Sequence, residues 1–219
     1  LVSVYFEYYS SRVKISMFIT KVLSLLIIPI VGAIFIYAFK NNENQREGAS
    51  FITAFLLFGV VFNLFNSSNI SGDVVNLIQI FPGVSISFFY DHLSIVFAFV
   101  ASSLWIITTL YSIGYMRGLK ELNQTRFFIC FAIAISATMG VAFSANLFTL
   151  YIFYEILSIS TYALVGHHQN SDAKMGARKY LIYLFGGSIG LALPAMIIIY
   201  QMTGTLDFSY SGILSGYNN

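Results

Sequence analysis

The sequence contains very little charge. Only 9% of its 219 residues are Asp, Glu, Lys or Arg, against roughly 25% in a typical soluble domain, whereas 58% are hydrophobic. These proportions exclude an ordinary soluble domain and indicate an integral membrane protein. The net charge of +2 comes from residues that form no basic stripe, so the sequence also argues against binding of nucleic acid.

Cysteine is scarce as well. Cys130 is the single cysteine of the chain, so no disulfide can form within it. No set of His, Cys, Asp and Glu has the spacing of metal ligands, and the sequence contains no hydrolase elbow, cysteine–histidine pair or set of redox ligands. We therefore predict a protein that holds no metal and no cofactor and is not itself an enzyme.

Long apolar runs are abundant, and they predict an all-α integral membrane fold with about six spanning helices. A helix needs about 20 apolar residues to cross the hydrocarbon layer. The predicted helices cover residues 17–39, 49–65, 91–113, 126–143, 144–166 and 179–203. Between the second and third, turn residues and an alternating run at 84–88 predict a short strand or hairpin outside the membrane, within residues 66–90.

Lysine and arginine predict the orientation of these helices. Three loops, at 40–49, 114–126 and 167–179, alternate onto one side of the membrane and hold 8 of the 11 basic residues. The positive-inside rule places these loops in the cytoplasm and the amino terminus outside. We therefore expect a multi-pass protein of the cell (inner) membrane with this orientation.

One acid stands near the middle of the fifth predicted helix. Glu155 lies about 12 Å along a helix that starts at Leu147, close to the centre of a hydrocarbon layer about 30 Å thick. A charged group at this depth costs at least ~2.5–3.5 kcal/mol, and such groups usually serve the movement of ions or protons. We predict that Glu155 is a proton carrier. The alternative is a buried glutamate that only joins two helices by a hydrogen bond.

Polar residues around this acid form a stripe. Tyr151, Glu155, Ser158 and Tyr162 succeed one another at spacings of three or four residues, so they share one face of the helix. We predict that this stripe contributes to a proton path.

The sixth predicted helix offers a possible partner. Lys179 opens it in our prediction, where its side chain either reaches the lipid interface or turns inward toward Glu155. Farther along, Gly186 and Gly190 form a G-x-x-x-G pair, which predicts close approach of a neighbouring helix. Pro194 frees a carbonyl and predicts a bend.

Two further features lie at helix ends. His167 and His168 follow the fifth helix and titrate near neutral pH, so they are candidates for collecting protons. Asp91 precedes the third helix and is predicted to cap it.

Several runs together resemble a known family. They are REGAS at 46–50, DHLSIVFAFVASSLW at 91–105, LYSIGYMRG at 110–118, TRFFICFAIAISATMGVAFSANLFTLYIFYEILSISTYALVG at 125–166 and KYLIYLFGGSIGLALPA at 179–195. They resemble the proton-translocating antiporter module shared by Mrp-type multisubunit Na⁺/H⁺ antiporters and the large membrane subunits of NADH–quinone oxidoreductase. Among the Mrp subunits, the chain is most similar to the D-type. The resemblance implies that Glu155 is the glutamate on which transport depends and that Lys179 matches the lysine opening the sixth helix.

The resemblance also implies the extent and the role of the chain. A full module has about fourteen helices, so this chain corresponds to its amino-terminal part, without the lysine of the broken seventh helix. We expect a transmembrane module at 17–208, a tail at 209–219 and an extension at 1–16, with either Leu1 or Met17 as the first residue.

The expected function is exchange of Na⁺ or K⁺ for protons, together with the other subunits of a membrane complex. The alternatives are a proton-pumping subunit of an NADH–quinone oxidoreductase-like complex and a truncated remnant that does not transport.

Overall fold

The structure, a computed structural model, describes residues 2–66, 74–209 and 211–215, with side chains from Ile19 onward. In this part of the chain six segments are long and apolar enough to span a membrane, which confirms the predicted all-α membrane fold. The first five spans are formed by α1 (Val2–Ala38), α2 (Glu43–Phe65), α3 (His92–Gly118), α4 (Gln124–Ala142) and α5 (Leu147–Val165). The sixth span consists of α6 (Ser171–Gly187), a π-helical turn (Ser188–Ala192) and α7 (Leu193–Thr203).

The predicted hairpin is confirmed between α2 and α3. Strand β1 (Val75–Phe81) pairs antiparallel with β2 (Val84–Phe88) around a turn at Pro82 and Gly83. Gly83 has a φ of +76°, and a Cβ at this position would lie 2.0 Å from the carbonyl oxygen of Gly204, so the turn requires glycine. The hydroxyl of Tyr200 on α7 donates to the Pro82 carbonyl at 2.6 Å, which fastens the turn to the sixth span. The predicted turn residues at 67–73 lie outside the described residues.

The prediction of a loop over residues 40–49 is wrong for most of its length. Helix α2 already begins at Glu43, because the Asn42 side chain caps it by accepting from the Gln45 backbone N–H at 3.2 Å. Glu43 in the first turn also suits the positive end of the helix dipole.

A buried network explains why these first turns are polar. Arg46 and Glu47 are both buried; Arg46 donates to the Gln124 side chain at 2.6 Å, and Glu47 accepts from Arg117 Nε at 3.0 Å. The network therefore ties together the ends of α2, α3 and α4. Polar residues of this kind are typical of a loop, but here their hydrogen-bonding groups find partners on neighbouring helices.

The other two predicted loops are also shorter than expected. Helix α3 continues to Gly118 and α4 begins at Gln124, so their connection covers only residues 119–123. Helix α6 begins at Ser171, capped by Asn170, whose side chain accepts from the Ala173 backbone N–H at 2.7 Å. The prediction that Lys179 opens the sixth helix is therefore wrong. The Asp91 cap is confirmed, since its carboxylate accepts from the Ser94 backbone N–H at 2.7 Å.

Helix α4 lies at the centre of the bundle and packs against α1, α3 and α5. Its contact with α5 is close at Gly140, where a Cβ would lie 2.1 Å from the Phe153 ring. By contrast, α6 packs mainly against α5, and most of the sixth span is exposed in the described chain.

Candidate functional site

The start of α5 is fixed by one buried asparagine. Asn146 is only 1% exposed, and its side-chain oxygen caps α5 by accepting from the Thr149 backbone N–H at 2.7 Å. Its amide nitrogen donates to the Ser85 carbonyl at 2.8 Å and to the Ser87 hydroxyl at 2.6 Å. One side chain thus caps the helix and joins it to β2.

Main-chain hydrogen bonds strengthen this anchor. The backbone N–H of Ala145 donates to the Ser87 carbonyl at 3.0 Å, and that of Leu147 donates to the Leu206 carbonyl at 3.0 Å. Phe208 in turn donates its backbone N–H to the Ala145 carbonyl at 3.1 Å. Helix α5 therefore begins between the hairpin and the segment that follows α7.

Glu155 is the ninth of the 19 residues of α5, which places it midway along the helix. Its Oε1 atom is buried and has no hydrogen-bond partner among the described residues. The hydroxyl of Ser188, the first residue of the π-helical turn, is also buried and also has no hydrogen-bond partner among the described residues. Tyr151 lies one turn before Glu155, and its hydroxyl lies near both the Glu155 carboxylate and the Ser188 hydroxyl. Side chains of α5 and of the sixth span thus meet at the level of Glu155.

The described surroundings of Glu155 contain a hydroxyl but no ion pair. A buried polar atom without a hydrogen bond costs about 1–3 kcal/mol, and buried water usually satisfies such atoms in proteins. Among the described residues no cation lies within 4.0 Å of the Glu155 carboxylate, and the Tyr151 hydroxyl lies beside it.

The rest of the predicted stripe is placed differently. Ser158 is buried, and its hydroxyl donates to the Tyr154 carbonyl of its own helix at 2.9 Å rather than toward Glu155. Tyr162 is 37% exposed. Sequence reasoning missed the pair that links α5 with α6 near this level, the hydroxyls of Thr161 and Tyr180, which lie 3.0 Å apart.

Lys179 lies in the third turn of α6, and it is exposed. Among the described residues no ion pair within 4.0 Å joins Lys179 to Glu155. The partnership predicted from the sequence is therefore not formed in this part of the chain, although α6 and α5 do pack together.

The two predicted histidines lie at the other end of α5 with an acid that sequence reasoning missed. Glu121, in the connection between α3 and α4, places its Oε2 atom 3.4 Å from His168 Nδ1 and 3.9 Å from His167 Nε2. His167 is only 9% exposed, whereas the His168 side chain is 62% exposed. Arg126 of α4 donates to the His167 carbonyl at 2.6 Å.

The surroundings of the buried imidazole oppose its protonation. Burial lowers the pKa of His167, and the positive charge of Arg126 lowers it further, while the Glu121 carboxylate acts in the opposite direction. Neither ring nitrogen of His167 has a hydrogen-bond partner among the described residues. The signal that could have pointed to Glu121 is that it is the one acid in a short connection facing the end of α5.

A bundle with six described segments long and apolar enough to span a membrane defines a multi-pass membrane protein. Two family models match the chain: "NADH:quinone oxidoreductase/Mrp antiporter, TM" over residues 144–216, and "NADH-Ubiquinone oxidoreductase (complex I), chain 5 N-terminus" over residues 80–128. Over these residues the chain is similar to the membrane subunits that Mrp antiporters and NADH:quinone oxidoreductases share.

A curated relative agrees with this family. The A-type subunit of the Na(+)/H(+) antiporter of Alkalihalophilus pseudofirmus is 30% identical over 192 residues, which are 85% of this chain and 23% of that protein. The chain thus spans about a quarter of the length of this relative. Because the relative is named as the A-type, the similarity to the D-type in particular stays a prediction.

Two solved structures share the fold. The structure of the membrane-bound sulfane sulfur reductase, an archaeal respiratory membrane complex, matches 85% of this chain and 38% of its own, with a TM-score of 0.70 at 21% identity. The Mrp complex from Dietzia sp. matches 92% of this chain and 21% of its own, with a TM-score of 0.68 at 16% identity. At these identities the likeness concerns the fold alone.

Proposed function

We propose that this chain is part of a membrane subunit that exchanges Na⁺ or K⁺ for protons, and that Glu155 carries the proton. The observation that supports this role is the buried Oε1 atom of Glu155, midway along α5 and without a described partner. The similarity to these family models supports the kind of transport, because one of them is described as an Mrp antiporter. The proposal takes the chain to correspond to the D-type subunit, whereas the curated relative is named as the A-type.

Tyr151 and Ser188 complete the proposed proton site. Tyr151 provides a hydroxyl beside Glu155, and the π-helical turn brings Ser188 to the same place. Water bound between these groups would satisfy Glu155 Oε1 and the Ser188 hydroxyl and would pass a proton to or from the carboxyl group. Ser158 and Tyr162 then have a packing role more than a role in transfer, since Ser158 is satisfied by its own helix.

The exposed sixth span indicates where further protein packs. An added Cβ at Gly186 or at Gly190 would meet nothing within 4 Å, so the G-x-x-x-G face is open in the described chain. Small residues on a spanning helix permit close approach of another helix. We propose that helices of the same membrane complex cover this face and bring a positively charged side chain within reach of Glu155. Lys179 does not fill this role in the described chain, because its side chain is exposed.

The proposal includes an orientation in the membrane. The connections at 39–42, 119–123 and 166–170 lie at the same end of the helices, and the basic residues near them support a cytoplasmic location for that end, with the chain in the inner membrane. The amino terminus would then lie outside, and lipid would surround the exposed apolar faces.

A second candidate is a proton-pumping subunit in an NADH–quinone oxidoreductase-like complex. The observations that favour it are the family model for the amino-terminal part of complex I chain 5 and the fold shared with an archaeal respiratory complex. In that case the Glu155 chemistry would be the same, but the transport would depend on electron transfer rather than on a cation gradient.

The experiment uses membrane vesicles from cells that lack their own antiporters and that express this chain with the proteins encoded beside it. Collapse of an imposed pH gradient on addition of Na⁺ or K⁺ is followed with a fluorescent dye. Glu155→Gln keeps the shape of the side chain and removes its proton exchange, so we expect the exchange to be lost at every pH. Glu43→Gln is the matched control, because Glu43 is an exposed acid at the start of α2.

The results separate the candidates. Exchange that survives Glu155→Gln at the unchanged rate would remove Glu155 from the mechanism. Absence of cation-driven exchange in the unmodified protein, together with a pH gradient formed on addition of NADH, would favour the respiratory candidate.

A further inference from the structure

We propose that Glu121, His167 and His168 form a proton-collecting site at the carboxyl end of α5, which passes protons between the aqueous phase and the interior of the helix bundle. This inference deepens the proposed function and rests on it. The inference assigns the proton as the ligand of this site and places its entry where the start of α4 meets the α3–α4 and α5–α6 connections.

The first step of the argument is that one carboxylate oxygen serves both imidazoles. Glu121 Oε2 lies 3.4 Å from the exposed ring of His168 and 3.9 Å from the buried ring of His167. An exposed imidazole takes up and releases protons near neutral pH in contact with water. A carboxylate beside two imidazoles attracts the proton and offers it a short route from the exposed ring to the buried one.

The second step is that the buried ring has free capacity. A neutral imidazole carries one N–H donor and one acceptor, yet neither nitrogen of His167 has a hydrogen-bond partner among the described residues. The ring instead makes edge-on contacts, with Phe127 at 5.9 Å and with His168 at 5.7 Å between centroids. Buried polar atoms of this kind are usually completed by water, which is also the medium that conducts protons.

The third step concerns charge. The groups that act on His167 are Glu121 and His168 beside it and Arg126 of α4, and the Leu122 carbonyl also lies near the ring. Arg126 is held in place by its hydrogen bond to the His167 carbonyl, so its positive charge is fixed next to the imidazole. A proton on His167 is therefore attracted by Glu121 and repelled by Arg126, which favours brief occupancy over storage.

The fourth step is the direction inward. Ten residues of α5 follow Glu155 as far as Val165, about 15 Å at a helical rise of 1.5 Å per residue, and His167 lies two residues beyond the end of the helix. The hydroxyl pair of Thr161 and Tyr180, 3.0 Å apart, lies on this interval at the contact of α5 with α6. Water on the same side of α5 would connect the collecting site with Glu155 through these hydroxyls.

A metal site would be the alternative use of two histidines and one acid. Within the described residues no group of three or more His, Cys, Asp or Glu side chains is arranged to hold a metal ion. The proton is the ligand that this geometry suits.

The first measurement tests the site without any transport. The full chain labelled with ¹⁵N-histidine has three imidazoles, and their ring signals are assigned with His92→Gln, His167→Gln and His168→Gln. We expect His167 to titrate below the ordinary pKa of an imidazole, and we expect Glu121→Gln to lower its titration pH further, because this change removes an adjacent negative charge. An unchanged His167 titration in the Glu121→Gln protein would overturn the coupling.

The second measurement is the pH profile of cation-driven exchange in the vesicles described above. We expect His167→Gln, His168→Gln and Glu121→Gln each to shift the half-maximal pH toward acid by about one unit, which is a tenfold change in proton concentration. His92→Gln is the matched control, since His92 is exposed at the start of α3, at the opposite end of the bundle.

The outcomes keep this inference apart from the proposed function. If Glu155→Gln abolishes exchange while His168→Gln and Glu121→Gln leave the pH profile unchanged, the collecting site is refuted and the role of Glu155 stands. If Glu155→Gln leaves exchange intact, the proposed function fails first. His168→Gln keeps the test decisive even where His167→Gln reduces assembly, because the His168 side chain is 62% exposed.

Discussion

Replacing Asn146 with alanine is expected to weaken the fold far more than replacing any other asparagine cap of known geometry in this chain. Loss of the cap to Thr149 costs about 1 kcal/mol. The hydrogen bonds to the Ser85 carbonyl and the Ser87 hydroxyl contribute roughly 0.5–1.5 kcal/mol each. The free energy of unfolding should therefore fall by about 2–4 kcal/mol, because one substitution removes the cap and the link to β2 together.

Asn170→Ala provides the matched control. Asn170 caps α6 with the same geometry, accepting from the Ala173 backbone N–H at 2.7 Å, but it is exposed and its side chain forms no second hydrogen bond within the described chain. The expected loss is only about 1 kcal/mol. Unfolding is measured by titration with sodium dodecyl sulfate in mixed micelles, using the fluorescence of Trp105, which is the single tryptophan and is buried in the core. Equal losses in the two variants would refute the reasoning that Asn146 anchors α5 to the hairpin.

Two further predictions concern packing and pH. In Gly140→Ala the new Cβ would lie 2.1 Å from the Phe153 ring, so we expect the free energy of unfolding to fall by roughly 1–3 kcal/mol in the same assay. Gly176→Ala is the control, because nothing lies within 4 Å of a Cβ there, and it should be neutral or stabilising. Similar losses in both variants would contradict the close contact between α4 and α5. Burial lowers the pKa of His167 in the folded protein below the ordinary imidazole value of about 6.5, which applies to the unfolded chain. Below a pH of about 6.5 the unfolded chain therefore binds more protons than the folded protein. The contribution of His167 to stability should be complete above this pH and should decline as the pH falls below it. His167→Gln should flatten this decline while His168→Gln should not, and a decline that persists in His167→Gln would assign it to other groups.

The spans were predictable from the sequence because hydrocarbon thickness imposes their length. The bounds of α2 and α6 were not, since both helices begin with polar turns that a hydropathy pattern assigns to loops. In α2 the reason is Arg46 and Glu47, which are satisfied by α3 and α4 and not by water. Partners that are distant in the sequence cannot be deduced from composition.

The same limit applied to the site. Glu155 was found because a lone acid in an apolar run is costly wherever the helix packs. Ser188 was missed, because only the π-helical turn before α7 brings its hydroxyl to the level of Tyr151. The sequence did carry a signal for that turn in Pro194, whose missing N–H disturbs the hydrogen bonding of the preceding turn.

Some buried polar groups near the helix ends hold the bundle together, as Asn146 does through its bonds to β2 and Arg46 through its bond to Gln124. The ring nitrogens of His167, also near a helix end, have no partner within hydrogen-bond distance among the described residues, and neither do Glu155 Oε1 and the Ser188 hydroxyl midway along their spans. Buried water usually completes such groups, and the proposed collecting site and the proposed proton carrier share this need for it. The bonded groups keep the helices in register, and the unbonded ones mark where water and protons would enter between the helices.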